Sequence, residues 1–318
     1  MTKSLAKAAL GSVAQILAQA PGSLALLRKA ATAPLSMKSD FFQRACGALV
    51  RGGGMGQDLF ETDMGVAGLR ALVPGSKPHY VFGRQANFLA ERATMDLSLR
   101  LCRSAKAFVD VGANEGIFVF TIGTDRRATP GFSLHVFEPD PVIGARLKAN
   151  LERNALLAEI NLAAASDRDG VQTFYRNLSD DMSGSLTTDF AGAHRVTAIQ
   201  TPTRALAGYL DDKDLHDAVL KIDVEGAGLA VWNGTRAAAS RIDSIVMEII
   251  GAEAENEVPR RIIEDTGWQA YYIRDFDLVP SAKGEFAYVP PFFNWLFTRR
   301  SRDALARTLE GTRFVLRA

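Results

Sequence analysis

The 318-residue sequence predicts an α/β fold: a doubly wound, mostly parallel sheet with an antiparallel C-terminal hairpin and a helical N-terminal extension. Three observations carry this expectation. Ala107–Gly116 reads as an apolar run ending at Asp110, then a loop holding Gly112 and Gly116 that breaks into a second apolar segment, Ile117–Ile122, which is the pattern of strand, tight turn and helix. Beyond Gly116, short apolar runs alternate with segments of helical period, the order that builds a parallel sheet. An apolar content of 47% with no low-complexity tract is enough to bury one large domain plus an appendage.

Taken in order, residues 1–50 predict two or three helices broken at Pro21-Gly22 and at Pro34, and Arg51-Gly52-Gly53-Gly54 reads as a flexible joint. Lys3 and Lys7 stand ahead of a mildly apolar stretch, but Lys7, Gln15 and Gln19 interrupt it too often for a secretion signal. Leu5, Ala9, Val13, Ile16 and Ala20 share one face, as in an amphipathic helix packed on a neighbour. Met64–Val73 and His79–Phe82 read as two strands joined by the loop Pro74–Pro78. Leu89, Ala93, Leu97 and Leu101 mark a helix over 87–103 that leads into the first core strand at Ala107.

Ser133–Phe137 is a second strand, stopped by Glu138-Pro139-Asp140-Pro141 because proline lacks the N–H that a ladder needs. Val142–Asn154 carries Ile143, Leu147 and Leu151 on one helical face, and Glu159–Ala164 is a third strand. Val171–Tyr175 and Val196–Thr201 read as added strands around a polar loop, Asn177–Thr188. Ala218–Asp223 and Ile242–Ile250 are the fourth and fifth core strands, with helical segments near 229–239 and 255–266 between and after them. Ala270–Arg274 and Phe292–Phe297 pair as the terminal hairpin, so that 105–298 forms one sheet. The implied boundary separates an extension with a short hairpin, 1–84, from the main domain, 85–318.

The formal net charge is +1 but unevenly spread: residues 1–100 hold 12 Lys+Arg against 6 Asp+Glu, and residues 101–267 hold 17 against 25. A nucleic-acid groove needs clustered Lys and Arg facing phosphates, so no nucleic-acid partner is expected for the acidic region that contains Ala107–Gly116. Cys46 and Cys102 lie far apart, outside any Cys-x-x-Cys or Cys/His cluster, which fits two buried thiols in a reducing cytoplasm. No stretch reaches the ~18 uninterrupted apolar residues of a membrane span. His135 and His194 are unclustered, and His135, Tyr271, Tyr272, Trp295 and Phe297 are expected in the core.

The chemistry begins where the first strand ends. A dinucleotide site carries Gly-x-Gly-x-x-Gly there, so that a diphosphate rests on the helix N-terminus. Gly112-Ala113-Asn114-Glu115-Gly116 lacks that spacing and puts Glu115 where a diphosphate would be repelled. A ligand without phosphates is favoured. S-adenosylmethionine fits, since its amine and sulfonium tolerate carboxylates such as Asp110, and Glu138 at the end of the second strand is placed for the ribose hydroxyls. An acid at that position serves NAD equally well.

The sequence resembles the FkbM-type methyltransferases, a branch of the class I, Rossmann-like, S-adenosylmethionine-dependent enzymes. The resemblance rests on Val109-Asp110-Val111-Gly112-Ala113-Asn114-Glu115-Gly116, on Phe137-Glu138-Pro139 followed by Leu147-x-x-Asn150-Leu151-x-x-Asn154, on Leu220-Lys221-Ile222-Asp223-Val224-Glu225-Gly226, on Gly234, and on Met247-Glu248-Ile249. It covers about 85–298 and implies O-methylation of a hydroxyl or carboxyl on a small metabolite or saccharide. One position departs: the family commonly has an acid two residues after Gly226, where this chain has Gly228.

Carried over, the resemblance makes Asp110, Gly112, Asn114 and Gly116 the cradle for the methionine end and Glu138 the ribose anchor. Ser166 and Asp167 would edge the adenine, and Asp223 would sit near the transferring methyl. For an alcohol acceptor a base must take the proton as attack proceeds, and Asp223, Glu225, Lys221 and Glu248 are the candidates. The same carboxylates could bind a metal through oxygen, but no metal is assigned, and Lys221 with Glu225 could equally form an ion pair bracing the strand. The serines of Asp180–Ser185 could grip a polyol. The N-terminal helices are placed for self-association. Two other readings stay open: an NAD-dependent oxidoreductase, and a cofactor-binding or assembly module without catalysis.

Overall fold

The computed structural model describes residues 14–32, 40–63, 69–82, 91–177, 184–188, 195–250, 255–285 and 292–318. The chain divides into two compact units, residues 1–90 with 152–155 and 180–182, and residues 91–151, 156–179 and 183–318.

In the first unit, residues 14–18 are helical, and α1 (Ser23–Ala31) and α2 (Asp40–Gly52) follow. The break at Pro21-Gly22 is as expected, with Gly22 in the left-handed region at φ 83°. The helical face is not as expected: Ile16 is 70% exposed while Ala14 and Ala18 are buried, so the small side chains do the packing. The glycine run is no flexible joint. Gly52 ends α2, the Gly53 amide closes the turn on the Leu49 carbonyl at 2.9 Å, and a Cβ at Gly52 would stand 2.9 Å from the Gln15 backbone nitrogen.

The hairpin exists with one of its expected strands, since Arg70–Pro74 falls within Met64–Val73 apart from its last residue, but its partner precedes it in the chain. β1 (Leu59–Asp63) pairs antiparallel with β2 (Arg70–Pro74). His79–Phe82, expected as a strand, lies in α3 (Pro78–Phe82). Pro78 explains this, because its fixed φ and missing N–H suit a first helical turn. Pro34, His194, Asp180–Ser183 and the residues before Ala14 lie outside the described residues, so their expected roles do too.

The second unit opens with α4 (Arg92–Cys102), which leads into β3 (Ala107–Val111). Then come α5 (Ile117–Arg126), β4 (Ser133–Phe137), α6 (Pro141–Arg153) and β5 (Glu159–Asn161). β6 (Ala164–Ala165), β7 (Gly170–Asn177), β8 (Gly184–Ser185), β9 (Val196–Arg204) and α7 (Leu206–Asp212) follow. β10 (Ala218–Ile222), α8 (Gly228–Thr235), β11 (Ile242–Glu248) and α9 (Val258–Thr266) complete the parallel part. The end is β12 (Gln269–Arg274), β13 (Asp277–Pro280), β14 (Asn294–Thr298), α10 (Arg302–Thr308) and β15 (Val315–Leu316).

The main sheet runs β15-β13-β12-β14-β11-β10-β3-β4-β5, with β11, β10, β3, β4 and β5 parallel. β3 and β10 are buried at every position, as central strands covered on both faces must be. Two expectations change here. β12 forms its tight hairpin with β13, and β14 enters between β12 and β11. The span 105–298 holds two sheets, because the expected third strand splits: β5 stays in the main sheet and β6 joins a four-stranded sheet of order β6-β9-β7-β8. His135, Tyr271, Tyr272, Trp295 and Phe297 are all buried, as expected, and Cys46 and Cys102 are buried free thiols.

The smaller sheet is tied to the loop after β4. Arg176 on β7 pairs with the buried Asp140 through two hydrogen bonds, and the Thr201 hydroxyl donates to the Pro139 carbonyl at 3.1 Å. Burial pushes the Asp140 carboxyl up, but Arg176 and the Val142 and Ile143 amides outweigh it and hold it below its ordinary 3.8. A carboxyl lowered on folding stabilises above its unfolded value, and that stabilisation is lost as pH falls through the folded one. Asp140→Asn should therefore cost roughly 1.5–3 kcal/mol at pH 7. The gap from the parent protein should narrow below pH 3.8. Urea denaturation at a series of pH values measures it, and a pH-independent gap would contradict the assignment.

Candidate functional site

The site is built from strand ends. β3 lies between β10 and β4, and Asp110 stands in register with Lys221 on one side and Val136 on the other. The chain leaves β3 through Gly112 (φ 81°), Asn114 (φ 52°) and Gly116 (φ 81°), all in the left-handed region. Two of these glycines answer to packing within the protein. A Cβ at Gly112 would stand 1.9 Å from the Asp223 carbonyl oxygen, and one at Gly116 would stand 2.3 Å from Leu147 Cδ1. The Asp223 amide donates to the Val111 carbonyl at 2.9 Å, so the first loop and the end of β10 are locked together.

Glu138 follows β4 and is 4% exposed. One carboxylate oxygen accepts the Asn114 amide at 2.8 Å and the other accepts the Asp140 amide at 2.9 Å. It therefore shapes the loop after β3 as well as ending β4. Glu115 departs from its expected role. Its side chain is fully buried and paired with Arg146 on α6, so its charge is compensated inside the protein and does not face a ligand. Paired with Arg146, Glu115 does not set the loop against a diphosphate; the glycine spacing of a dinucleotide site is still missing from the loop.

At the centre is Lys221, 1% exposed, with its ammonium 3.4 Å from the Asp223 carboxylate and 5.2 Å from the centre of the Phe118 ring. Asp223, Glu248 at the end of β11, and Glu91 at the N-cap of α4 bring carboxylate oxygens within 4.8 Å of one another. Asp110 is buried beside them. Burial raises the Asp110 carboxyl to about 7; Lys221 opposes this, and the charges of Asp223 and Glu91 add to it. Glu248 is raised to about 9 by the charge of Asp223 first and by burial second. Glu91 is raised mainly by burial. Burial lowers the Lys221 ammonium, but the four surrounding carboxylates outweigh it and hold the group charged.

Three buried atoms in this set have no hydrogen-bond partner: Asp110 Oδ2, Glu91 Oε2 and Lys221 Nζ. Unsatisfied buried groups are costly and call for an explanation, a bound ligand among them. The structure brings together Asp110, Lys221, Asp223 and Glu248 from the expected residues, and the Gly112–Gly116 loop with Glu138 beside Asn114. Glu225, in the left-handed region at φ 46°, lends its carbonyl to the Ser185 hydroxyl at 2.6 Å. Ser185 is 1% exposed and also bonds Thr187, so it is engaged within the protein and is not presented to a polyol. Ser166 and Asp167 follow β6 in the smaller sheet, and Ser166 bonds Asp167 and Gln172.

Sequence reasoning missed two acids. Glu91 carries no motif; its only signal is an acid opening a helix. Glu255 is 1% exposed, and its carboxylate accepts the Gly228 amide at 3.2 Å and the Ile250 amide at 3.1 Å. A Cβ at Gly228 would lie 3.1 Å from Glu255 Oε1. The position that departs from the family pattern is thus met by a carboxylate from a later segment.

The family model for the FkbM methyltransferase domain matches residues 110–278, just over half of the chain. The chain belongs to the FkbM methyltransferase family. Within the matched span lie Asp110, Glu138, Lys221, Asp223 and Glu248, and Glu91 lies outside it. The 31-O-demethyl-FK506 methyltransferase FkbM of Streptomyces tacrolimicus is 39% identical over 75 residues, which are 23% of this chain and 28% of that protein, so the match spans little more than a quarter of the relative. Among solved structures, the FkbM methyltransferase of Methylobacillus flagellatus KT aligns with TM-score 0.40 and 14% identity over 70% of this chain and 53% of its own. The O-methyltransferase of Bacillus cereus, in complex with S-adenosylhomocysteine, aligns with TM-score 0.39 and 11% identity over 65% and 80%.

In this FkbM methyltransferase, Lys221 is the cation that the buried carboxylates share. Lys221→Met keeps the length and removes the charge, and breaking a buried pair in this way typically costs ~3–5 kcal/mol. Chemical denaturation of the variant should show a loss of that size; a loss under ~1 kcal/mol would mean that the carboxylates do not depend on the ammonium.

Proposed function

We propose that the protein transfers a methyl group from S-adenosylmethionine to an oxygen, hydroxyl or carboxyl, of a small metabolite or saccharide. The observation that supports this best is the set of buried Asp110 and Lys221 with half-buried Asp223 and Glu248 at the ends of adjacent strands in a chain of a methyltransferase family. Its chemistry suits the donor. The excess of carboxylate fits an ammonium and a sulfonium, and the unpartnered Lys221 Nζ is a donor in need of an acceptor oxygen. Asp110, Gly112, Asn114 and Gly116 would line the methionine end, Glu138 the ribose, and Ser166 with Asp167 the adenine side. The Streptomyces relative bears the name of a methyltransferase of 31-O-demethyl-FK506, which favours an oxygen acceptor.

When bound, S-adenosylmethionine supplies an electrophilic methyl with a neutral thioether as leaving group. The acceptor oxygen forms the new bond to carbon as the sulfur–carbon bond breaks and its electron pair returns to sulfur. For an alcohol, Asp223 takes the hydroxyl proton, with Glu248 near it in the same acidic set and Lys221 orienting the oxygen; Glu225, the fourth candidate, follows two residues after Asp223. A carboxylate acceptor needs no base. The acidic balance of residues 101–267 supports a small acceptor over a nucleic acid. No helix among the described residues is long and apolar enough to cross a membrane. The cytoplasm is the proposed place of action, given two free buried thiols. Self-association through the N-terminal unit is proposed on Ile16, Leu26 and Phe41, all exposed.

Calorimetry with S-adenosylmethionine, S-adenosylhomocysteine and NAD tests the donor: the first two should bind, and NAD binding without them would replace this reading with the oxidoreductase one. Glu138→Ala should abolish cofactor binding while circular dichroism shows the fold retained. Asp223→Asn should bind S-adenosylmethionine as the parent does, yet lose about 10²–10⁴-fold in methyl transfer to alcohol acceptors, the scale of a general base. Full activity of Asp223→Asn on an alcohol would remove that residue from the role.

A further inference from the structure

We propose that Glu91, Asp223 and Glu248 form a binding site for a hard divalent cation, Mg²⁺, Mn²⁺ or Ca²⁺. The three carboxylates present oxygens within 4.8 Å of one another. Oxygens on opposite sides of one ion stand about 4.2 Å apart around Mg²⁺ and about 4.8 Å around Ca²⁺, twice the respective bond lengths. The donor set is oxygen alone, with neither histidine nor cysteine, which selects hard cations over zinc or copper.

A cluster of acids can simply be solvated, so the neighbouring atoms decide. Asp110 is 2% exposed, stands in register with Lys221, and its Oδ2 has no hydrogen-bond partner; Glu91 Oε2 is likewise buried and unpartnered. An unpartnered buried acceptor on Asp110, beside three converging carboxylates of which one, Glu91, itself carries an unpartnered oxygen, points to a cation and its bound water, with Asp110 accepting from that water. Ligands are commonly held by such outer hydrogen bonds.

Lys221 is the competing cation, and it is not sufficient. Its ammonium reaches the Asp223 carboxylate at 3.4 Å and rests 5.2 Å from the Phe118 ring centre, and its Nζ makes no hydrogen bond. One ammonium stands among four carboxylates. Glu91 lies outside the matched span, so the full ligand set depends on a residue that the family segment does not contain.

The ion's purpose rests on the methyl-transfer reading: it would polarise an acceptor hydroxyl and lower its pKa, leaving Lys221 to orient the oxygen. Binding itself does not rest on that reading and is measured without cofactor. Purified full-length protein, stripped with EDTA and dialysed, is titrated with MnCl₂ alone by electron paramagnetic resonance and with CaCl₂ by calorimetry. One saturable ion per chain is expected, with affinity lowered roughly tenfold or more in Glu91→Gln. Glu248→Gln should do the same and guards against a fold defect in the first variant, each being checked by circular dichroism. Absence of saturable binding of both ions, or binding untouched by both substitutions in folded protein, overturns the proposal. S-adenosylmethionine binding to the stripped protein, measured in parallel, reports separately on the methyltransferase reading.

Discussion

A charged lysine sealed among carboxylates is the constraint on which the centre of this molecule depends. Lys221 sits one residue before the end of a fully buried strand, where an unpaired ammonium would be untenable, so Asp110, Asp223, Glu248 and Glu91 must be brought around it. The sheet does this with little freedom. Asp110 and Lys221 are register partners on adjacent parallel strands, Asp223 follows at the end of β10, and Glu248 closes β11 next to it. Burial and mutual repulsion then raise the carboxyls, while their combined charge keeps the lysine protonated. Packing and electrostatics specify the same arrangement.

Much of the main sheet was legible because its strands are buried on both faces and read as continuous apolar runs. Ala107–Val111, Ser133–Phe137 and Ala218–Ile222 lie where those runs are. Legibility failed where one residue type overrode a run. Pro78 turned an apolar stretch into a helix, and the strand expected at 159–164 was cut in two, its parts assigned to different sheets. Sheet membership is a matter of long-range pairing, which no local pattern contains. The glycines at 52–54 were misread for a related reason, since close approach of another segment, like flexibility, selects glycine.

The site divides in the same way. Asp110, Glu138, Lys221 and Asp223 stand at strand ends within short motifs and were readable from position alone. Glu91 and Glu255 were not, because each arrives from a separate segment and signals nothing until the fold brings it in. Glu115 shows the reverse error. It lies within the motif, yet its side chain turns to Arg146, so membership of a motif loop does not settle which way a side chain points.

The opening loop also changes meaning once its contacts are seen. The family resemblance makes Gly112 part of a methionine cradle, but the atom that needs the space at its Cβ position is the Asp223 carbonyl oxygen, and the Asp223 amide is bonded to Val111. The Asp-x-Gly turn after β3 and the Lys-Ile-Asp end of β10 are therefore one structural unit. A side chain at 112 would push directly on the backbone of the residue proposed to face the acceptor. Likewise Glu138 holds the Asn114 amide, so the loop after β4 fixes the loop after β3. Coupling of this kind makes the loops after β3, β4 and β10 mechanically continuous. It also explains why the three motifs, far apart in sequence, occur together in a single chain: each supplies the hydrogen bond or the empty volume that another requires.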